Sequence, residues 1–269
     1  MRGIGILALF VVATGVSEAG EAELRLPLRS HVEAFRGSGE WEQVTFERAI
    51  SPAQTAILVC DMWDRHWCRG ATERVGQLAR KATPVIDQAR AAGMLVIWAP
   101  SETMDFYRHA PQRLAIESMP KAAPPGPLDL TSPPLPIDDS GGGCDTPGDH
   151  FYKAWTRQHP ALDIAANDLI SDRADEIYSA LRLRGIRTVL VAGVHANMCV
   201  LNRPFAVKQL TKWGFRCILV RDLTGAMYNP QDRPRVSHQE GTELVIQYIE
   251  KYWAPTVLSS ELVKALHRR

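Results

Sequence analysis

Residues 188–200 read TVLVAGVHANMCV, and this stretch decides the fold. Its first seven residues are almost entirely apolar, which is typical of a β-strand that is buried on both faces. The pattern that follows predicts a helix over residues 199–213, ended by Gly214. Pro204 fits this helix only if its regular part begins after Cys199, because proline lacks the N–H that a helix interior needs. A buried strand that leads into a helix is the repeating unit of a parallel α/β sheet.

The same alternation of strands and helices continues on both sides of this stretch. We predict further strands over residues 55–60, 94–99, 162–165, 216–221 and 256–258. We predict further helices over residues 72–92, 174–184, 240–252 and 259–267. Pro84 is expected to kink or split the first of these helices. The pattern as a whole predicts an α/β protein with a mainly parallel sheet of about six strands.

The N-terminal part of the chain differs from this alternation. Residues 24–50 predict a β segment with a turn at residues 37–39. Before it, Arg2 precedes an apolar run over residues 4–16, which is shorter than the ~20 residues of a membrane span and typical of a secretory signal. We therefore predict a signal peptide over residues 1–19 and a secreted or periplasmic protein, the alternative being a buried N-terminal helix or strand.

The composition limits the class of partner. The 269 residues include 31 Lys and Arg against 30 Asp and Glu, a net charge of +1, and no basic run is present. This balance argues against a nucleic-acid partner, and no later stretch is apolar enough to cross a membrane. The hydrophobic fraction of 45% is sufficient for a packed core. We expect one exported domain over residues 20–269 that acts on a small molecule.

Residues 120–147 are rich in proline and glycine and predict a long insertion within this domain. Loops of this kind usually lie over a functional site or at a subunit contact. Cys68 and Cys144 lie outside the predicted strands. In an exported protein they are candidates for a disulfide that ties the insertion to the edge of the sheet.

Two candidate reactive groups, Asp61 and Cys199, each follow a predicted strand. Ligands of parallel α/β sheets bind beyond the carboxyl ends of the strands, so we expect both groups at one edge. At the start of a helix, backbone N–H groups are expected to lower the pKa of Cys199 and to hold an oxyanion, while Asp61 accepts the thiol proton. The alternative is that Cys199 is a small buried residue, as we predict for Cys60 and Cys217.

These residues carry a family resemblance. Residues 188–200, the Asp-ending strand TAILVCD over residues 55–61, and Asp222 after the next strand resemble the isochorismatase-like cysteine hydrolases, which include nicotinamidases and N-carbamoylsarcosine amidase. The resemblance covers residues 55–222 and implies a Rossmann-like, three-layer α/β/α fold with a Cys-Asp-Lys triad. It also implies a strained, often cis, peptide near Val194 and His195 that directs backbone amides at the substrate, and association into a homo-oligomer. We place the amide of Met198 in the same oxyanion site.

The resemblance assigns Cys199 as the nucleophile and Asp61 as the general base. It usually places the lysine at the end of the middle strand, where residues 165–167 contain none. Lys153, upstream of that strand, is the candidate. The other hypotheses are that Arg157 or His159 supplies the cation, that the role is lost, or that Lys153 is an ordinary surface lysine.

Further residues near the predicted edge are candidates for binding. Trp63, Trp155 and Asn197 are predicted to line the substrate pocket, although large aromatic residues more often serve packing. Asp64 and His66 resemble part of the metal site of nicotinamidases, and their ligand types suit a divalent metal such as zinc. A solvated loop is the alternative for this pair, and no cofactor is expected to be required.

The sequence thus predicts an exported cysteine hydrolase that cleaves a small amide-type C–N bond through a thioester on Cys199. The substrate class follows from the resemblance. The alternatives are a non-catalytic binding or structural protein of the same fold and, less favoured because no Cys-x-x-Cys is present, a thiol redox protein.

Overall fold

The computed structural model describes residues 23–268. Its strands are β1 (Leu24–Glu33), β2 (Trp41–Ile50), β3 (Thr55–Cys60), β4 (Leu95–Ala99), β5 (Leu169–Ile170), β6 (Thr188–Val194), β7 (Arg216–Gly225) and β8 (Thr256–Val257). Its α-helices are α1 (Arg69–Ala91), α2 (Met104–Tyr107), α3 (Pro111–Glu117), α4 (Ala174–Leu183), α5 (Cys199–Asn202), α6 (Val207–Lys212), α7 (His238–Tyr252) and α8 (Ser259–Leu266). The predicted signal peptide, residues 1–19, lies outside the described residues.

The strands form one eight-stranded sheet in the order β2-β1-β8-β7-β6-β3-β4-β5. The six strands from β8 to β5 are parallel, and the N-terminal hairpin β1–β2 joins them through an antiparallel pairing of β1 with β8. The predicted parallel sheet and the separate N-terminal β segment are therefore confirmed.

Helices cover both faces of the sheet and give the expected three layers. On one face of the sheet, α1 and α8 pack against side chains of the central strands such as Ile57 and Val59. On the other face α3, α4, α6 and α7 pack against the alternate side chains, such as Leu58. Burial on both faces explains why β3 and β6 are continuous apolar runs in the sequence. Among residues 23–268, no helix combines the length and the apolar character that a membrane span requires.

Three predicted elements differ from the structure. Residues 162–165 are not a strand; the short strand is β5, and the Asp168 carboxylate instead binds the N–H of Ala165 and the guanidinium of Arg90. The predicted helix over residues 199–213 is divided into α5 and α6, because the residue before Pro204 adopts an extended conformation. Helix α1 runs through Pro84 without a break.

The insertion has no regular secondary structure and is tied to the start of α1. Cys68 and Cys144 form a disulfide, which confirms the predicted pairing. Gly143 lies against the backbone of Met227 with a φ of +68°, and a Cβ at this position would collide with the Met227 carbonyl group. The insertion is thereby held over the carboxyl edge of the sheet.

Removing this disulfide is expected to cost about 4 kcal/mol of unfolding free energy, because the cross-link spans 76 residues and restricts the unfolded chain. The measurement is reversible urea unfolding of the wild type and of the double variant Cys68→Ser/Cys144→Ser. Reduction should lower the midpoint of the wild type and leave that of the double variant unchanged. Equal midpoints for wild type and variant would show that the cross-link contributes nothing.

Candidate active site

The close pairing of β3 and β6 brings the two predicted reactive groups to one edge. The strands run parallel, with Cys60 opposite Gly193, so the residues that follow them share the carboxyl end of the sheet. Gly193 has a φ of +123°, and a Cβ there would collide with the carbonyl oxygen of Cys60. Only glycine permits this approach of the two backbones. The sequence GV at the end of β6 is therefore a requirement of the site geometry.

The Asp61 carboxylate lies close enough to the Cys199 thiol for each group to shift the pKa of the other. Asp61 is fully buried and has a φ of +48°, a left-handed conformation that is uncommon for a residue with a side chain. Its Oδ1 accepts a hydrogen bond of 2.7 Å from the N–H of Ser101. Backbone strain of this kind clusters at functional sites, where the surroundings hold the residue in place.

The surroundings of Cys199 favour its protonated thiol over the thiolate. Burial raises its pKa well above the ordinary value, and the neighbouring Asp61 carboxylate raises it further. Arg203 and a backbone hydrogen bond from His195 act in the opposite direction without reversing the shift. The expectation that a helix start would lower this pKa is wrong, because α5 has only four residues and burial dominates. Any nucleophilic role for Cys199 therefore requires a base beside it.

Arg203 supplies the cation of the site, although it is absent from the predicted site residues. Its Nε donates to Asp61 Oδ2 at 2.9 Å, and its Nη2 lies 3.4 Å from Glu102 Oε1. Among residues 23–268, Arg203 is the only ion-pair partner of Asp61. Burial alone raises the pKa of Asp61, and the guanidinium opposes this and favours the ionised carboxylate.

The break between α5 and α6 positions Arg203. With φ and ψ of −55° and 148°, Arg203 leaves the helical path immediately before Pro204. The available sequence signal was the Arg-Pro pair a single turn after Cys199.

Lys153 does not take the cation's place beside the sulfur, and this assignment is corrected. Its Nζ donates to the carbonyl oxygen of Glu102 at 2.8 Å. Glu102 has a φ of +63°, and its N–H donates to Asp172 Oδ2 at 2.8 Å. Lys153 therefore helps to hold the strained backbone of Glu102, whose carboxylate faces Arg203.

The remaining cation candidates lie elsewhere. The guanidinium of Arg157 lies over the ring of Phe106, and the Nδ1 of His159 accepts from the N–H of Ala161. β5, the strand that precedes α4, ends at Ile170, and the residue that follows it, Ser171, binds Glu176 and brings no cation.

The peptide bond between Val194 and His195 is cis, as the resemblance implied. The N–H of Met198 donates to the His195 carbonyl oxygen at 2.9 Å, so Met198 is not a free oxyanion donor. The N–H groups of Asn197 and Cys199 have no acceptor within residues 23–268. These two amides are the available donors beside the sulfur.

An open depression of about 540 Å³ contains the candidate nucleophile. It is lined by Leu135, Asp139, Asn197, Met198, Cys199, Asn202, Arg203 and Pro204. Trp63 and Trp155 are not part of this lining, so their predicted pocket role is corrected. They are buried and stack on each other, with ring centroids 4.3 Å apart. Aromatic packing, rather than substrate contact, is their observed role.

Both residues of the predicted metal pair bind other groups of the protein. The carboxylate of Asp64 binds the N–H and hydroxyl of Thr156 at 2.9 and 2.6 Å, which fixes the loop that contains Trp155. The Nδ1 of His66 accepts from the N–H of Cys68, and burial lowers the pKa of His66 to about 4. Within residues 23–268 no third ligand joins this pair, and the one group of three candidate ligands contains Cys68 and Cys144, which are bonded to each other.

Comparison with known proteins places this geometry in a structural context. No protein-family model matches the chain, and no curated protein matches it. A cysteine hydrolase from Pseudomonas syringae pv. phaseolicola 1448A matches with a TM-score of 0.51 at 16% identity, over 81% of this chain and 95% of that one. An isochorismatase family protein from Burkholderia thailandensis matches with a TM-score of 0.48 at 15% identity, over 81% and 97% of the two chains.

An N-carbamoylsarcosine amidase from Thermoplasma acidophilum matches with a TM-score of 0.41 at 15% identity, over 77% of this chain and 96% of that one. The match to the Pseudomonas cysteine hydrolase shows that this chain has the same α/β fold. The mainly parallel α/β fold predicted from the resemblance is thereby confirmed.

Proposed function

We propose that the protein is a cysteine hydrolase that cleaves a small amide-type C–N bond. The observation that carries the proposal is the pairing of Cys199 with the neighbouring carboxylate of Asp61 at the carboxyl edge of the sheet, with Arg203 bound to that carboxylate. A thiol, a base that contacts it and a third group that orients the base form the arrangement of an activated nucleophile. The fold shared with a solved cysteine hydrolase supports the proposal.

The first half of the reaction forms a thioester. Asp61 takes the thiol proton as the Cys199 sulfur attacks the carbonyl carbon, which moves the carbonyl electron pair onto oxygen. The N–H groups of Asn197 and Cys199 stabilise this oxyanion. When the oxyanion collapses, the C–N bond breaks, and protonated Asp61 gives its proton to the leaving nitrogen.

The second half of the reaction consumes one water molecule. Asp61, ionised again, accepts a proton from water as the water oxygen attacks the thioester carbon. The carbon–sulfur bond then breaks, the carboxylic acid leaves, and the proton returns to Cys199. Arg203 acts on both halves, because its charge favours the ionised form of the buried Asp61 and partly offsets the charge on the sulfur.

Turnover of a panel of small primary amides in the presence of hydroxylamine tests this proposal. A thioester reacts with hydroxylamine, so the wild type should release ammonia and form hydroxamate in place of part of the carboxylic acid. Cys199→Ala should do neither, and Cys217→Ala, which replaces a cysteine buried on β7, should behave like the wild type. Ammonia release that persists in Cys199→Ala would refute the proposed nucleophile.

A non-catalytic binding protein of the same fold is the second candidate. The observation that favours it is the raised pKa of Cys199 together with the missing lysine after β5. This candidate predicts no ammonia release from any amide and no change in ligand affinity when Asp61 is replaced by asparagine.

We also propose that the protein is exported and acts in an oxidising compartment. The Cys68–Cys144 disulfide supports this location, because disulfides are rare in the cytosol. Assembly into a homo-oligomer, and a metal such as zinc near Asp64 and His66, stay predictions from the resemblance.

A further inference from the structure

Asp139 places an unneutralised carboxylate in the same depression as Cys199. Both residues line the cavity of about 540 Å³. The other two carboxylates near the sulfur, Asp61 and Glu102, pair with Arg203. Asp139 has no ion-pair partner within residues 23–268, and its Oδ1 has no hydrogen-bond donor there.

A buried amide fixes the Asp139 side chain. Asn197, which is 1% exposed, donates from Nδ2 to Asp139 Oδ2 at 2.8 Å and to the Met227 carbonyl oxygen at 3.1 Å. Its Oδ1 accepts from the N–H of Met227 at 2.8 Å. The amide is therefore fully engaged, and it orients one carboxylate oxygen while the other stays free. The turn of Asp139 is closed by a backbone bond from Gly142.

The charges around the depression favour a cation. Arg203 is the only cationic residue of the lining, and its charge is shared between two carboxylates. Lys208 lies outside the lining and donates to Asn202 Oδ1. The other lining side chains are apolar or amide groups, so the half-buried Asp139 is the lining residue that offers a negative charge without an ion-pair partner among residues 23–268.

We propose that the substrate carries a positively charged group, an ammonium or guanidinium, which Asp139 binds while Cys199 attacks the neighbouring amide. This inference rests on the proposed hydrolase function and specifies its substrate class. A substrate with a carboxylate at the same position would meet Asp139 with like charge and would be disfavoured.

Matched amides of different charge test the substrate class. Glycinamide and β-alaninamide carry an ammonium, propionamide and butyramide are their neutral counterparts, and succinamate carries a carboxylate. The wild type should show a kcat/KM about tenfold or more higher for the ammonium compounds than for the neutral ones, and the lowest value for succinamate. Asp139→Asn should remove this preference, whereas the adjacent Asp138→Asn should keep it, because Asp138 binds Ser140 outside the depression.

Charged thiol reagents give a second measurement that needs no turnover. Cys60 and Cys217 are buried, so methanethiosulfonates that carry a trimethylammonium or a sulfonate group report on Cys199. The cationic reagent should react faster in the wild type, and the ratio of the two rates should fall about fivefold to tenfold in Asp139→Asn.

The outcomes separate the two proposals. Hydrolysis of amides with an unchanged charge preference in Asp139→Asn, or with a preference for neutral amides, overturns the substrate class and leaves the hydrolase intact. A second outcome is that none of the five amides is hydrolysed, while the ratio of the rates of the cationic and anionic reagents at Cys199 still depends on Asp139. This outcome refutes amide hydrolysis and keeps only the cation-binding role of Asp139. A charge ratio that Asp139→Asn leaves unchanged overturns the inference in either case.

Discussion

Replacing Asp61 with asparagine is expected to lower kcat/KM for amides by about 10³-fold while making Cys199 more acidic. General-base catalysis is worth about 10²–10⁴-fold, and Asp61 is the base that contacts the thiol. The charge of the same carboxylate raises the pKa of Cys199, after the larger effect of burial. Removing the carboxylate leaves Arg203 as the charged neighbour of the sulfur, so the pKa of the thiol falls.

The two effects have separate readouts. Steady-state kinetics give the loss of hydrolysis, and the rate of alkylation by iodoacetamide against pH gives the pKa of Cys199. Asp64→Asn is the matched control. It removes a carboxylate from the same loop, but this carboxylate binds Thr156 rather than the sulfur. If Asp61→Asn hydrolyses amides as fast as the control, Asp61 is not the base. If the alkylation curve moves to higher pH, the assigned charge coupling is wrong.

Replacing Arg203 with glutamine is expected to lower kcat/KM by about 100-fold and to move its acid limb to higher pH. Burial raises the pKa of Asp61, and Arg203 opposes that rise. Hydrolysis requires ionised Asp61, so activity is lost as the pH falls through this pKa. Without the guanidinium the pKa of Asp61 rises further, and the loss begins at a higher pH. Arg203→Lys keeps a positive charge and should retain the wild-type position of the limb with reduced kcat.

The measurement is kcat/KM from pH 4 to pH 9 for both variants, with Arg157→Gln as the control. Arg157 is also a nearby arginine, but its guanidinium lies over Phe106. Circular dichroism and urea unfolding establish that each variant is folded, because loss of the one ion partner that the buried Asp61 carboxylate has among residues 23–268 is also expected to reduce stability. An acid limb that stays in place in Arg203→Gln would show that Arg203 does not control the ionisation of Asp61.

The sheet could be predicted from the sequence because its central strands are buried on both faces. β3 has six residues and β6 has seven, and nearly all of them are apolar. The strand boundaries predicted from the sequence match those of the structure. β5 has only two residues and no such run, so residues 162–165, three of which are apolar, were the stronger signal. Their conformation is set by the carboxylate of Asp168, which residues distant in the sequence hold in place.

The position of Asp61 and Cys199 could also be predicted, because parallel strands deliver the residues that follow them to one edge. The protonation of Cys199 could not, because it depends on how deeply the sulfur is buried. That Arg203 rather than Lys153 supplies the cation could not be predicted either. It depends on the backbone turn before Pro204, which directs the Arg203 side chain toward Asp61. Asp139 is brought to the depression by the long insertion, whose path no local pattern specifies.

The most direct test of the central claim is rapid-quench mass spectrometry of the protein during turnover of an amide substrate. We predict an acyl group on the peptide that contains Cys199, formed and consumed at rates that match turnover. Product that accumulates while Cys199 stays unmodified, or an acyl group on another residue, would contradict the proposed nucleophile.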